Sequence, residues 1–239
     1  SVKKHIAFEG SCECQNDIHG KLIATFFAKS KTNFWMSKNQ FAKYKDLFPF
    51  LKEDKNIVLS SVFDKNTVDF ITSLDTSNKN DKWIILDSPS WIKGKEETVK
   101  YAKENNLEYE LVWNLGYTDL LKKLASSKGL LFMPLGADTC PRLTIEAKLL
   151  NCELILNEDV QHKDEPWFEN REAILEYLST RGSFFWKRIE DLAKENLNLN
   201  TLEPLPDTKF KIIIPFYNAE DWIQKCVNSL KNQNYNGDA

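Results

Sequence analysis

Short apolar runs recur along the chain, and polar segments with helical spacing separate them. Each run has about four to six residues, the length of a buried strand in a parallel sheet. We therefore predict strands at His5–Phe8, Phe34–Ser37, Ile57–Ser60, Trp83–Leu86, Glu110–Trp113, Leu130–Pro134, Glu153–Leu156 and Lys211–Pro215.

Helices are predicted in the segments between the strands, where apolar residues recur every three or four positions among good helix formers. These segments are Asp17–Lys29, Asn39–Leu51, Lys95–Glu104, Thr118–Ser126, Leu143–Leu150, Arg171–Leu178 and Phe184–Asn196. Strands that alternate with helices are typical of βαβ units. The pattern therefore predicts an α/β fold, a Rossmann-like parallel sheet flanked by helices.

The same pattern divides the chain into four parts. Residues 1–45 are too few for an independent Rossmann-like domain, so we predict a short βαβ extension or the remnant of an N-terminal lobe. Residues 46–200 are predicted to be the main Rossmann-like domain. Residues 201–208 contain two prolines and no periodicity, which indicates a linker. Residues 209–239 are predicted to begin another βα unit, which is too short to complete a sheet alone.

Composition excludes several classes of function. The chain has 32 Lys and Arg against 35 Asp and Glu, a net charge of -3 without the clustered basic excess of a nucleic-acid binder. No apolar run approaches the roughly 20 residues of a membrane helix, and the first residues contain no apolar signal core. We therefore expect a cytoplasmic protein without a membrane span or a nucleic-acid partner. The five cysteines are too irregular for a disulfide scaffold or a paired zinc site.

The segment Gly129–Leu156 has the most chemical content. A buried strand ends at Pro134, the following loop contains Gly136, and Pro141 stands where the first turn of a helix tolerates proline. Either Asp138 or Thr139 is expected to cap that helix. In a parallel sheet this loop lies at the carboxyl edge, where ligands bind and a helix start favours anions.

Two carboxylates in this segment are candidate ligand-binding groups. Asp138 and Glu146 are eight positions apart, which places Asp138 in the loop and Glu146 about two turns into the helix. Such a pair can hydrogen-bond a polyol at two separate points.

The segment MPLGADTCPRLTIEA resembles the signature of retaining family-four glycosyltransferases, which have the GT-B fold. In that signature a strand, a proline and a carboxylate are followed after seven residues by a glutamate, and Asp138 stands in place of the first glutamate. Upstream, WIILDSPSWIKGK is similar to the family's strand followed by a Lys-Gly pair, which corresponds to Lys93 and Gly94. The likeness covers about residues 33–195 and implies the donor-binding lobe of a nucleotide-sugar glycosyltransferase.

The resemblance implies a role for each matched residue. Glu146 would bind the ribose hydroxyls, Asp138 the hydroxyls of the transferred sugar and Lys93 the diphosphate, and Asp138 and Glu146 are the candidate catalytic residues. The interpretation of Arg142 stays open between a phosphate contact and a pair with a neighbouring carboxylate. The full set of candidate donor-binding residues is Lys93, Gly94, Gly136, Asp138, Thr139, Arg142 and Glu146.

The chain also departs from the family's pattern. The family has a Gly-Arg pair after the strand that ends at Leu86, whereas this chain has Asp87-Ser88-Pro89-Ser90 and lacks that cation. The acceptor lobe is shortened, and His19 is the residue there with suitable chemistry, either catalytic or only a capping or solvated histidine.

A second resemblance begins at Lys209. The segment KFKIIIPFYNAEDWIQKCVNSLKNQNYNG is similar to the start of inverting family-two glycosyltransferases of the GT-A fold, in which Pro215, Tyr217 and Asn218 would line the nucleotide base. No cofactor is expected in this chain, because the Asp-x-Asp motif that holds a divalent metal would follow later. We therefore expect a fragment of a longer, multidomain glycosyltransferase.

Three functions remain open from the sequence. The first is transfer of a sugar from a UDP- or GDP-linked donor to a glycan or lipid-linked glycan. The second is a non-catalytic, glycosyltransferase-like module that binds a nucleotide or a partner chain as a scaffold. The third is another Rossmann-like enzyme that acts on a phosphorylated small molecule, although no GxGxxG motif follows any strand.

Overall fold

The computed structural model of the protein describes residues 18–196. The helices of this part are α1 (Ile18–Lys29), α2 (Lys38–Leu47), α3 (Lys65–Ser73), α4 (Lys95–Glu104), α5 (Tyr117–Ala125), α6 (Arg142–Leu149) and α7 (Arg171–Asn196). Its strands are β1 (Asn33–Trp35), β2 (Asn56–Val58), β3 (Trp83–Leu86), β4 (Tyr109–Val112), β5 (Gly129–Phe132) and β6 (Glu153–Leu156). Single turns of 3-10 helix lie at Glu53–Lys55, Trp91–Lys93 and Pro166–Phe168.

The main sheet has four parallel strands in the order β4-β3-β5-β6. Leu130 of β5 pairs with Ile84 on one side and with Leu154 on the other, so β5 lies in the interior of the sheet. All four residues of β5 are buried. The predicted α/β fold, with parallel strands flanked by helices, is confirmed, and the strand predicted at Leu130–Pro134 lies in the interior of the sheet.

Helices cover both faces of this sheet, which explains why its strands are continuous apolar runs. Alternate residues of a strand point to opposite faces. Trp83 and Ile85 of β3 pack with Ala102 of α4 in a small cluster on one face. On the other face, Ile84 packs in the larger cluster with Leu130 and with residues of α3, α5, α6 and α7.

A second sheet consists of β1 and β2, which are parallel and joined by α2. Its core is aromatic: Trp35 packs with Phe48 and Leu51, and the ring of Phe27 lies 5.1 Å from that of Trp35. This βαβ unit crosses the boundary predicted at residue 45, which falls inside α2.

Two helix predictions need correction. Residues 65–73 form α3, which the sequence analysis missed, and Asp64 caps it by accepting a hydrogen bond from the Thr67 amide at 2.9 Å. The two helices predicted at Arg171–Leu178 and Phe184–Asn196 are one helix, α7. The described residues divide into two compact units after Ile189, inside α7, and the sheets belong to the first.

Several predictions lie outside the described residues. These are the strands His5–Phe8 and Lys211–Pro215, the linker at 201–208 and the unit at 209–239. Within residues 18–196, no helix combines the length and the apolar character needed to cross a membrane.

Candidate functional site

The candidate site lies at the carboxyl edge of the main sheet, where the loops after β3, β5 and β6 meet. Asp138, in the loop after β5, forms an isolated parallel bridge with Val160 in the loop after β6. The Asp138 amide donates to the carbonyl of Asp159 at 2.7 Å, and the Gln161 amide donates to the carbonyl of Asp138 at 3.0 Å. The backbone of Asp138 is therefore held on both sides.

Lys93 and Asp138 meet at this edge, although 45 positions separate them. The ammonium of Lys93 donates to Oδ2 of Asp138 at 2.8 Å. The lysine lies in the loop after β3, and Asp138 lies after the neighbouring strand β5. Parallel strands bring these two loops to one edge, so the structure joins two residues that the sequence analysis assigned to one site.

Gly94 permits this approach. Its φ is +66°, and a Cβ atom there would lie 1.8 Å from the carbonyl oxygen of Met133, just after β5. The Leu135 amide also donates to the carbonyl of Ile92 at 2.9 Å, which ties the two loops together. A glycine is needed because only it combines the left-handed backbone with such a close backbone contact.

Glu146 is a buried carboxylate with 4% of its surface exposed. The hydroxyl of Tyr117 donates to its Oε1 at 2.8 Å, and Nε of Arg142 lies 3.9 Å from the same oxygen. No hydrogen bond from the described residues reaches Oε2. Burial raises the pKa of Glu146, while the contacts with Tyr117 and Arg142 partly oppose that shift. Glu146 is the fifth residue of α6. It therefore lies about one turn into the helix, whereas two turns were predicted.

Arg142 lies between a carboxylate and an aromatic ring. Its guanidinium carbon is 4.1 Å from the centroid of Phe63, a cation–π contact, and its Nε faces Glu146. The side chain is half exposed. Of the two interpretations from the sequence, the structure contains the pair with a neighbouring carboxylate.

The expected cap of α6 is wrong. Pro141 is the N-cap residue, and no side chain caps the helix. The carboxylate of Asp138 instead accepts from Lys93, and the hydroxyl of Thr139 points to the sulfur of Met36 at 3.5 Å. Gly136 is buried in the same loop.

The loop after β3 has an acidic residue where the resemblance has a cation. Asp87 follows β3 directly and forms an ion pair with Lys95, the first residue of α4. Lys95 is therefore already paired with a carboxylate.

Tyr117 and His162 also belong to this region, and neither was predicted from the sequence. Tyr117 begins α5, at the same edge as the site because the preceding strand β4 is parallel to β3. His162 is fully buried, its ring stacks on Trp167 at 5.4 Å, and its Nε2 lies 3.1 Å from the hydroxyl of Thr144. The aromatic residues Trp167 and Phe168, close to His162 in the sequence, could have indicated a buried histidine. No local sequence pattern indicates that Tyr117 bonds to Glu146.

Other candidates cannot be placed. Pro215, Tyr217 and Asn218 lie outside the described residues, and so does the side chain of His19. Among residues 18–196, no group of three His, Cys, Asp or Glu side chains is arranged to hold a metal ion.

Two cavities lie away from the carboxylates. One of about 400 Å³ is lined by residues between Phe27 and Asn56, and one of about 450 Å³ by residues between Glu110 and Ser126. Neither Asp138 nor Glu146 lines them.

We compared the chain with protein-family models, with curated proteins and with solved structures, and none of the three comparisons found a match. The two resemblances read from the sequence therefore remain predictions.

Proposed function

We propose that the protein is a glycosyltransferase that binds a UDP- or GDP-linked sugar at the carboxyl edge of its main sheet and transfers the sugar to a glycan or a lipid-linked glycan. The observation that carries this proposal is the burial and the hydrogen bonding of the Glu146 carboxylate. The side chain of Glu146 is largely buried, yet its Oε2 accepts no hydrogen bond from the described residues and is not one of the fully buried atoms that lack a partner. Solvent therefore reaches Oε2, and a ligand hydroxyl can take the place of water there.

Lys93 and Asp138 supply the remaining chemistry. A leaving nucleoside diphosphate gains negative charge as the glycosidic bond breaks, and a fixed ammonium stabilises that charge more in the transition state than in the ground state. Asp138 accepts hydrogen bonds from sugar hydroxyls. Lys93 donates to Asp138 at 2.8 Å with one of its three N–H groups, so a diphosphate accepts from the other two beside the negative charge of Asp138.

One observation favours the alternative, a non-catalytic nucleotide-binding or scaffold module. The loop after β3 has the Asp87–Lys95 ion pair where the family that the chain resembles has a second cation for the diphosphate. A carboxylate in this place weakens the binding of an anion, and the loss of a cation lowers transition-state stabilisation.

Calorimetric titration of UDP, GDP and their nucleosides into the wild-type protein and two variants tests the donor site. Glu146→Ala should weaken nucleoside and diphosphate alike by at least about tenfold, because charged-group hydrogen bonds are lost. Lys93→Ala should weaken the diphosphate much more than the nucleoside. Lys128→Ala is the matched control, since Lys128 directly precedes β5 and lies at the opposite edge of the sheet.

A variant of Asp138 distinguishes nucleotide binding from sugar transfer. Asp138→Asn removes the counter-charge of Lys93, so this variant should bind UDP more tightly but hydrolyse a panel of UDP- and GDP-sugars more slowly than the wild type. Absence of nucleotide binding in the wild type, or an equal loss for nucleoside and diphosphate in Lys93→Ala, contradicts the donor site. Tight nucleotide binding without turnover of any donor in the panel supports the scaffold alternative.

A further inference from the structure

The hydroxyl of Tyr117 is bound to the carboxylate that we assign to ribose recognition. Tyr117 is the first residue of α5 and has 47% of its surface exposed, yet its hydroxyl reaches the buried Oε1 of Glu146 at 2.8 Å. The two residues are 29 positions apart in the sequence. Because burial and the adjacent carboxylate raise the pKa of Tyr117, its hydroxyl keeps the proton and donates it at neutral pH.

The two oxygens of Glu146 are therefore not equivalent. Oε1 accepts from the Tyr117 hydroxyl at 2.8 Å, and Nε of Arg142 lies 3.9 Å from it, an ion-pair contact beyond hydrogen-bond distance. Oε2 has no hydrogen bond from the described residues. A ligand that approaches Glu146 meets one oxygen that is free of hydrogen bonds from the described residues and one that already accepts from Tyr117.

We infer that Tyr117 is a specificity-determining residue: its hydroxyl occupies one lone pair of Oε1, so that Glu146 binds one hydroxyl of a ribose strongly at Oε2 and the neighbouring hydroxyl weakly. This inference rests on the proposed nucleotide site. A ribose presents two neighbouring hydroxyls, and a carboxylate with both oxygens available binds both. Because Oε1 already accepts from Tyr117 and lies next to Arg142, the second ribose hydroxyl contributes little to binding at Glu146.

The consequence is a defined pattern of sensitivity to deoxyribose. In the wild type, removal of one ribose hydroxyl should weaken binding by about tenfold, and removal of the other should change it by less than about twofold. In Tyr117→Phe, Oε1 becomes available to the ligand. The ribonucleotide should then bind several-fold more tightly, and removal of either hydroxyl should weaken its binding.

The experiment titrates UDP, 2′-deoxy-UDP and 3′-deoxy-UDP, and the matching GDP series, into wild type, Tyr117→Phe and Glu146→Gln by calorimetry. Tyr101→Phe is the control, because Tyr101 packs against the cluster on the other face of the sheet. Addition of Tyr117→Phe to Glu146→Gln should no longer change the deoxyribose pattern, since the effect of the tyrosine acts through the carboxylate. Thermal unfolding of each variant establishes that it is folded.

The possible outcomes separate the inference from the function on which it rests. Equal dependence of the wild type on both hydroxyls, or an unchanged pattern in Tyr117→Phe, overturns the role of Tyr117 while nucleotide binding stands. Weaker binding of the ribonucleotide by Tyr117→Phe, with no gain in hydroxyl dependence, also overturns it. If neither the wild type nor Tyr117→Phe binds any of these nucleotides, the inference and the proposed function both fail.

Discussion

His162 is a buried histidine whose tautomer follows from its neighbours. The hydroxyl of Thr144 donates its one proton to the carbonyl of Pro141 at 2.8 Å, so it can only accept from His162. Nε2 of the ring therefore carries the proton, and Nδ1 is an acceptor with no partner among the described residues. Burial, together with the charge of Lys148, lowers the pKa of His162 from about 6.5 to about 4.

This shift predicts that the protein loses stability as the pH falls from 7 to 5. In this window the unfolded chain binds a proton at His162 that the folded chain does not, so the free energy of unfolding rises with pH. From the lowered pKa, the contribution of His162 is about 2 kcal/mol between pH 7 and pH 5. Urea unfolding at several pH values measures it.

His162→Phe should remove this slope while it keeps a ring against Trp167. The variant His5→Gln/His19→Gln changes the other histidines of the chain and should keep the slope. Glu146 acts in the opposite direction, because its raised pKa favours the folded state as pH falls. The difference between His162→Phe and the wild type therefore isolates the contribution of His162. An equal pH dependence of the free energy of unfolding in both proteins would show that His162 is not its source.

At the scale of elements, two glycines have opposite roles. Gly94 ends the 3-10 turn at Trp91–Lys93 and caps α4 with a left-handed backbone pressed against Met133. Gly182 lies within α7, and a Cβ atom there would meet nothing within 4 Å. The first glycine is required by the fold, whereas the second only lowers helix propensity.

Gly94→Ala and Gly182→Ala should therefore change stability in opposite directions. Alanine at 94 must relieve a 1.8 Å contact with backbone and also adopt a positive φ, which should cost at least about 2 kcal/mol. Alanine at 182 should stabilise the helix by about 0.5–1 kcal/mol. Chemical denaturation of both variants measures this difference, and a neutral Gly94→Ala would contradict the close packing of the two loops.

The elements were the most predictable part of the structure. The strands at Trp83–Leu86 and Glu153–Leu156 and the helix at Lys95–Glu104 have the predicted ends, because apolar runs and helical spacing are local signals. Two helices were predicted in place of α7, on either side of Gly182, because the local sequence does not show whether a glycine meets solvent or a neighbour. Helix α3 was missed because its β-branched residues weaken the helical signal.

The site was predictable only in part. Lys93 and Asp138 were assigned to one site by the resemblance, and the parallel order of β3 and β5 explains why they meet. The bonds between Tyr117 and Glu146, and between His162 and Thr144, join side chains from different elements. Such partners depend on how helices pack, and no spacing within one element encodes them.

At the scale of the whole molecule, the buried carboxylate of Glu165 connects the two sheets. Oε1 accepts from the backbone amide of Lys38, at the start of α2, at 2.8 Å. Oε2 accepts from the hydroxyl of Ser60, after β2, at 3.1 Å and from Nε1 of Trp167 at 2.7 Å. A second link joins the same regions, as the hydroxyl of Ser37 donates to Gln161 at 2.8 Å. The β1–β2 sheet is thus held to the loop after β6 by polar contacts.

Glu165→Ala should loosen the β1–β2 sheet from the rest of the fold. It leaves three donors without an acceptor, one of them buried and two partly buried, and bonds to a carboxylate are worth roughly 1.5–3 kcal/mol each, so we expect a loss of at least about 3 kcal/mol. Glu165→Gln should lose less stability than Glu165→Ala. The remaining oxygen of the glutamine still accepts hydrogen bonds, while its amide nitrogen faces another donor. The exposed Glu158, which pairs with Lys163, supplies the control variant Glu158→Ala, with a change below about 0.5 kcal/mol.

Hydrogen exchange determines where the stability is lost. In Glu165→Ala the amides of β1 and β2 should exchange at a lower free energy than those of β5, whereas a uniform loss of stability would lower all strands together. The expected difference arises because Glu165 contacts the segments that flank β1 and β2, and none of its three bonds reaches β5. Equal protection of both sheets in this variant, or a loss no larger than that of Glu158→Ala, would contradict the role of Glu165 as the connection between them.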